Sequence, residues 1–123
     1  MACCYSSWKG APCAWWDAAK ILPDIVSMRV ENRLGPVKNT LRDASLICLD
    51  DVGIKELTPA QLEALLIILN ERLNKPLMMT GNLPPERLSE VMDDRAASRI
   101  CAGCVIEVTG EDRRLSAASI FKA

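Results

Sequence analysis

The stretch Leu46-Ile47-Cys48-Leu49-Asp50-Asp51-Val52-Gly53 decides how the rest of the chain is read. From Ser45 to Asp50 the run Ser-Leu-Ile-Cys-Leu-Asp is continuously apolar until it stops at acid. A strand with one wet face alternates. An unbroken apolar run ending in a polar pair is the pattern of a strand buried on both faces of a parallel sheet. In such sheets ligands sit beyond the carboxyl ends of the strands, so an acidic pair there is placed for chemistry. The plainer use of Asp at a strand end is to make a turn.

Outward from this run, strands and helices alternate. Thr58-Pro59-Ala60-Gln61 starts a helix, with Thr58 as N-cap, Pro59 at the first helical position and Gln61 closing a capping box. Leu62, Leu65, Leu66, Leu69 and Leu73 form its apolar stripe, widened by Ile67 and Ile68, and Asn74-Lys75-Pro76 ends it. Leu77 to Thr80 is a short buried strand. Pro84-Pro85 opens a helix, Asp93 restarts one and Gly103 breaks it. Cys104 to Val108, Cys-Val-Ile-Glu-Val, is expected as a further strand. On the N-terminal side, Pro12 to Trp16 reads as a strand and Asp17 caps the helix after it, with Pro23 expected to kink or split that helix. Gly35-Pro36 reads as a turn before a short helix. Met1 to Lys9 is expected to be the last turns of a helix that Gly10 closes. The class is α/β with a mostly parallel sheet, and right-handed crossovers are expected to place helices on both faces.

The bulk composition fits one domain. The chain has 123 residues, half of them apolar and a quarter charged, with a net charge of −1. Nucleic-acid contact would need a local patch, because the chain is no polycation. No run approaches a membrane span and no secretory signal is visible, which leads to the expectation of a cytoplasmic protein with reduced thiols and no membrane partner. The six Cys sit largely in apolar runs. There is no His, so His-based triads, His acid–base chemistry and mixed Cys/His zinc sites are excluded. Cys101-Ala102-Gly103-Cys104 is a C-x-x-C at a helix-to-strand turn. Structural zinc wants four ligands, so buried small residues are the simpler reading.

Three polar clusters are expected at strand ends: Asp50-Asp51, Thr80-Gly81-Asn82, and Glu107 to Arg114. Asp50 suits Mg²⁺, which prefers oxygen ligands. Asp51 suits the orientation or polarisation of an attacking water. Asn82, on the adjoining strand, suits positioning that water near a γ-phosphate. Phosphoryl transfer needs mainly such positioning and charge stabilisation. Trp8, Trp15 and Trp16 are candidates for base stacking and Lys9, Arg29 and Arg33 for phosphate contacts, although aromatic residues near a strand more often belong to the core.

Taken in order, LICLDDVG, TGN, DDRAASRI and GEDRR resemble the AAA+ ATPases of the DnaC/IstB type, helicase loaders and transposition helpers of bacteria and phages. The resemblance runs from about Gly10 to Leu115. It implies a three-layer αβα P-loop NTPase fold, with residues 1–123 as a truncated AAA+ core. It implies that Asp50 and Asp51 are the Walker B acids, with Asp50 on the metal, and that Asn82 is sensor 1. Arg99 is then the leading arginine finger, Arg95 the second candidate, and Arg114 a sensor-2-like residue. ATP and Mg²⁺ are the implied cofactors. A replicative helicase or a transposase, single-stranded DNA and further copies of the chain are the implied partners.

The departure from that family lies before the acids. Neither Lys9 nor Lys20 follows the spacing G-x-x-x-x-G-K-[ST], so the phosphate loop and first strand are expected to be missing, with Met1 falling inside the helix that should follow the loop. The missing strand would lie between Leu77–Thr80 and Cys104–Val108. The expectation is therefore that these two pair directly, or that another chain fills the gap. The expected function is coupling of ATP hydrolysis to loading of a partner on DNA, inactive in this form alone. The alternative is a non-catalytic interaction module derived from such an ATPase.

Overall fold

A computed structural model of the chain describes residues 4–8 and 11–109. Its elements are β1 (Cys4–Trp8), β2 (Ala11–Asp17), α1 (Ala18–Val30), α2 (Gly35–Asp43), β3 (Leu46–Asp50), α3 (Pro59–Glu71), β4 (Leu77–Met79), a 3-10 turn (Pro85–Glu90) and α4 (Asp94–Cys101). They form one four-stranded sheet in the order β1-β2-β3-β4. β2, β3 and β4 run parallel, with Trp15 beside Cys48 and Cys48 beside Met78, while β1 adds to β2 antiparallel.

The parallel strands follow each other in sequence and in space, and the order never reverses. Right-handed crossovers that all step in one direction put every helix on the same face. Ala14, Trp16, Ile47 and Leu49 point to that face and pack in one core with Ile21, Leu22 and Ile25 of α1, Val37 and Leu41 of α2, Leu65 and Ile68 of α3, and Ala96 and Ala97 of α4. Trp16, Ile25, Val37, Leu41, Ile47, Leu49, Leu65 and Ile68 are fully buried. Each such side chain contributes about 2 kcal/mol of apolar burial. The opposite face carries Trp15, Cys48 and Met78 in one row. Trp15 is 49% and Met78 52% exposed. The αβα arrangement is thus present in part. Among the described residues helices cover one face, not the two that were expected.

Local signals in the sequence fix most boundaries. Asp17 caps α1 through its carboxylate, which accepts from Ala19 N–H at 3.0 Å. Pro23 does not split the helix. Its missing N–H leaves only the Ala19 carbonyl without its helical donor, and Ala19 is exposed to water. Gly35 and Pro36 open α2 and form no separate turn, since the first helical N–H groups have no intrahelical partner to lose. The capping box at Thr58 is complete in both directions, at 3.2 Å each. Of its stripe, Leu65 and Leu66 are buried and Leu73, beyond the helix end, is 71% exposed.

Two elements differ from expectation. Cys4–Trp8 is a strand in place of a helix end, because its residues pair one for one with Ala11–Trp15. Cys104–Val108 is no strand. Val105, Ile106 and Val108 are 51, 79 and 91% exposed, and no hydrogen bond joins this segment to β4. A lone extended segment has no ladder to satisfy its backbone, so β propensity alone does not make a strand. The direct re-pairing with Leu77–Thr80 is therefore not made. No helix among the described residues is long and apolar enough to cross a membrane.

Candidate functional site

Two of the three expected polar clusters meet at the carboxyl ends of β3 and β4. Thr80, the residue after β4, ties them together. Its hydroxyl donates to Asp50 Oδ1 and accepts from Asp51 N–H at 3.0 Å. A hydroxyl does both because it is at once donor and acceptor. The Thr80 backbone continues the ladder, with Thr80 N–H on Leu49 O at 3.0 Å and Val52 N–H on Thr80 O at 2.8 Å. Asp51 turns the chain in the left-handed region at φ 57°, a conformation Asp tolerates better than most residues. At Gly81 a Cβ would lie 2.7 Å from the Val52 carbonyl oxygen, so only glycine lets the two strand ends approach this closely. The register also sets Asp17 beside Asp50 at the end of β2, where it serves the α1 cap.

Asp50 and Asp51 are half-buried. Cys48, two residues before Asp50, is buried on the other sheet face, and its thiol is pushed up from the ordinary range by burial and then by the charge of Asp50. Asn82 is exposed at the end of the cluster, with no hydrogen bond to either acid. The donor set fits a hydrated divalent ion better than a caged one. No group of three or more His, Cys, Asp and Glu capable of holding a metal occurs among the described residues. Mg²⁺ commonly takes one or two carboxylates and completes its shell with water and phosphate oxygens, and the Thr80 hydroxyl bonds Asp50 through Oδ1 alone, leaving Oδ2 clear of that bond.

The arginines lie elsewhere. Arg95 pairs with Asp93 at 3.1 Å beside the α4 N-cap, and Arg99 donates to Asn70 Oδ1 at the end of α3. Asp93 is held below the usual carboxylate range by Ala96 N–H, then by Arg95. Arg114 and the GEDRR segment lie outside the described residues. Glu107, expected near a strand end, is exposed on the unpaired 104–108 segment. Of the residues proposed for nucleic-acid contact, Trp16 is core, Arg33 pairs with Glu31, and Lys9 and the Trp8 side chain lie outside the described set. Cys101 packs against the core and Cys104 is exposed, both as free thiols.

The residue that sequence reasoning missed is Thr80 as the link between the acids. The signal was present in Thr-Gly-Asn, where attention falls on the Asn. A second omission is Arg72, only 2% exposed, at the opposite end of the sheet. Its guanidinium donates to Ala44 O at 2.6 Å, to Leu41 O at 3.0 Å and to Pro76 O, while Nε has no partner. Nothing in the pattern around Arg72 separates it from any helix-end arginine.

No protein-family model and no curated protein sequence matches the chain. Solved structures do. DnaA of Aquifex aeolicus, bound to AMPPCP, superposes with a TM-score of 0.71 at 20% identity over 81% of this chain and 32% of that one. A replication initiator DnaA bound to AMPPCP and single-stranded DNA gives 0.72 at 20% identity, over 84% and 33%. A DnaC helicase loader gives 0.66 at 20% identity, over 76% and 59%. The chain has part of an AAA+ fold. It spans about a third of the DnaA chains and three fifths of the DnaC chain. Within the AAA+ fold, the acids at the end of β3 and the Thr-Gly-Asn after β4 fall at the strand ends that the sequence assigned them.

Proposed function

We propose that the chain carries the acidic half of a nucleotide site in a replication-type AAA+ ATPase of the DnaC/IstB kind. The observation that carries this is the Asp50–Thr80–Asp51 cluster, which joins two parallel strands at their carboxyl ends. In this reading Asp50, steadied by the Thr80 hydroxyl, faces a hydrated Mg²⁺, which supplies charge neutralisation for the phosphates when bound. Asp51 orients the attacking water and accepts its hydrogen bond. Asn82 steadies the same water from the β4 side. Arg99, with Arg95 behind it, serves a neighbouring subunit, and for this it must leave Asn70. Arg114 would close over the nucleotide. ATP and Mg²⁺ are the cofactors, and a helicase or transposase loaded on DNA is the partner. The DnaA and DnaC likenesses support this choice over other NTPases.

The 123 residues contain no G-x-x-x-x-G-K-[ST], so by themselves they lack most triphosphate contacts. This favours a second reading for the chain acting alone: an interaction module that keeps the fold without turnover. Nitrogen-15 amide spectra during titration with Mg·ATP test the site. We expect weak binding, with a dissociation constant on the order of millimolar, shifts confined to residues 50–53 and 80–83, and no phosphate release. Absence of those shifts, or identical shifts in Asp50→Asn, removes the site. The partner is tested by surface plasmon resonance against a replicative helicase and a transposase, and no binding to either removes the loading role. Adding the chain to an intact ATPase of this kind tests Arg99: an unchanged ATPase rate removes the arginine finger.

A further inference from the structure

The two arginines of α4 are held by partners of different kinds. Arg95 meets a carboxylate. Asp93 accepts from it at 3.1 Å and also caps α4 through Ala96 N–H at 2.9 Å, so the charge of Arg95 is cancelled where it stands. Arg99 meets an amide. Its Nη1 donates to Asn70 Oδ1, and both residues are exposed. Arginine has no acceptor, so the amide must turn its oxygen toward it. Among the described residues Arg99 makes no ion pair.

The end of α3 suits this arrangement. A helix C-terminus attracts a cation, and α3 has no basic residue in its own last turn. The guanidinium of Arg72, just beyond, is turned to the carbonyls of Leu41, Ala44 and Pro76. Arg99 of α4 supplies the missing charge. The Asn70 backbone oxygen accepts Leu73 N–H at 3.3 Å in the closing turn, and its side-chain oxygen serves Arg99. A neutral acceptor in water holds a guanidinium weakly and leaves its charge in place. The oxygens of a phosphate hold it more strongly, by charge and by a two-point fit.

We propose that Asn70 is a positioning residue that parks Arg99 on the end of α3, an autoinhibitory contact that the phosphates of a neighbouring subunit break. This rests on the reading of Arg99 as an arginine finger. The fraction of chains with Arg99 released sets how strongly the chain acts on that neighbour. A carboxylate at position 70 would both hold the guanidinium and cancel its charge, as Asp93 does for Arg95. An alanine there would hold nothing. The two replacements therefore act in opposite directions, which a loss of structure at this exposed position would not produce.

The test adds the full chain to an intact ATPase of this kind with Mg·ATP and reads the stimulated rate. Asn70→Ala should raise the stimulation about two- to threefold, and Asn70→Asp should lower it by a similar factor. With Arg99→Ala in the same chain, the two Asn70 variants should no longer differ. The contact itself is read without any nucleotide: the side-chain amide resonances of Asn70 should move in Arg99→Ala. Unmoved resonances overturn the parking. So does a stimulating wild-type chain whose Asn70→Ala and Asn70→Asp variants match it or shift it in the same direction. A wild-type chain that leaves the rate unchanged overturns the arginine finger itself, and the autoinhibition with it, even where the Asn70 resonances move.

Discussion

The two ends of the parallel sheet are held in opposite ways. At the amino ends of β3 and β4, one buried cation gathers three backbone carbonyls, those of Leu41, Ala44 and Pro76, so that α2, α3 and both strand entries share a single fastening. At the carboxyl ends, one neutral hydroxyl lies between a carboxylate and an amide. The first end is dry and fixed. The second is half-open and keeps acid oxygens accessible. Burial of a cation and exposure of carboxylates fall at different ends of the same strands, which lets the acidic end be polar without loosening the fold.

The largest effect should come from the dry end. Arg72→Ala leaves three carbonyls without a donor and an empty volume beneath α3, and we expect a loss of about 3 kcal/mol or more in chemical denaturation. Arg72→Lys reaches fewer of these oxygens and should fall between. A loss below about 0.5 kcal/mol for Arg72→Ala would erase the contrast between the ends. Next is Gly81→Ala at the acidic end. Its Cβ cannot share space with the Val52 carbonyl, and pushing the strand ends apart should cost about 2 kcal/mol. Thr80→Val keeps shape and deletes the hydroxyl, for about 1 kcal/mol, with Thr80→Ser restoring most of it. In addition, Thr80→Val should move the amide resonance of Asp51 more than any amide near Arg72. The smallest effect is chemical. Burial and the nearby Asp50 charge keep the Cys48 thiol protonated as the pH rises through the range where a free thiol ionises. At mildly alkaline pH an alkylating reagent should modify exposed Cys104 and spare Cys48 until the chain unfolds. Equal labelling of both would show that β3 opens readily.

The acidic end was legible in the sequence because its signals are local. An apolar run ending in Asp50-Asp51, a capping box at Thr58, and Thr-Gly-Asn after a short strand each state their structure within a few residues. The dry end was not legible, because Arg72 meets carbonyls 28 and 31 residues earlier in the chain, and no local pattern encodes such a meeting. Cys4–Trp8 and Cys104–Val108 misled for a related reason. A strand is defined by its neighbour. The first segment has β2 alongside it and the second has no strand beside it among the described residues, although the second has the stronger strand composition. The three-layer expectation was right about the kind of fold. It missed that an unreversed strand order sends every crossover over one face. Among the site residues, the sequence placed Asp50 and Asp51 together, and it could not place Arg95 and Arg99, whose partners Asp93 and Asn70 only the tertiary structure identifies.

The strand order has one more consequence. A parallel sheet opens a crevice at its carboxyl edge where two neighbouring connections part toward opposite faces. Between β2, β3 and β4 none do. A cavity of about 350 Å³ lies instead between α1 and α3, walled by Ile25, Val26, Val30, Ala60 and Ala64 with Arg29 at its rim, a lining that shares no residue with the acids. Asp50 and Asp51 therefore stand on a ledge. A ledge can present charge and orient water, but it cannot enclose a triphosphate. Nucleotide chemistry at these acids needs a second wall, which the described residues do not supply.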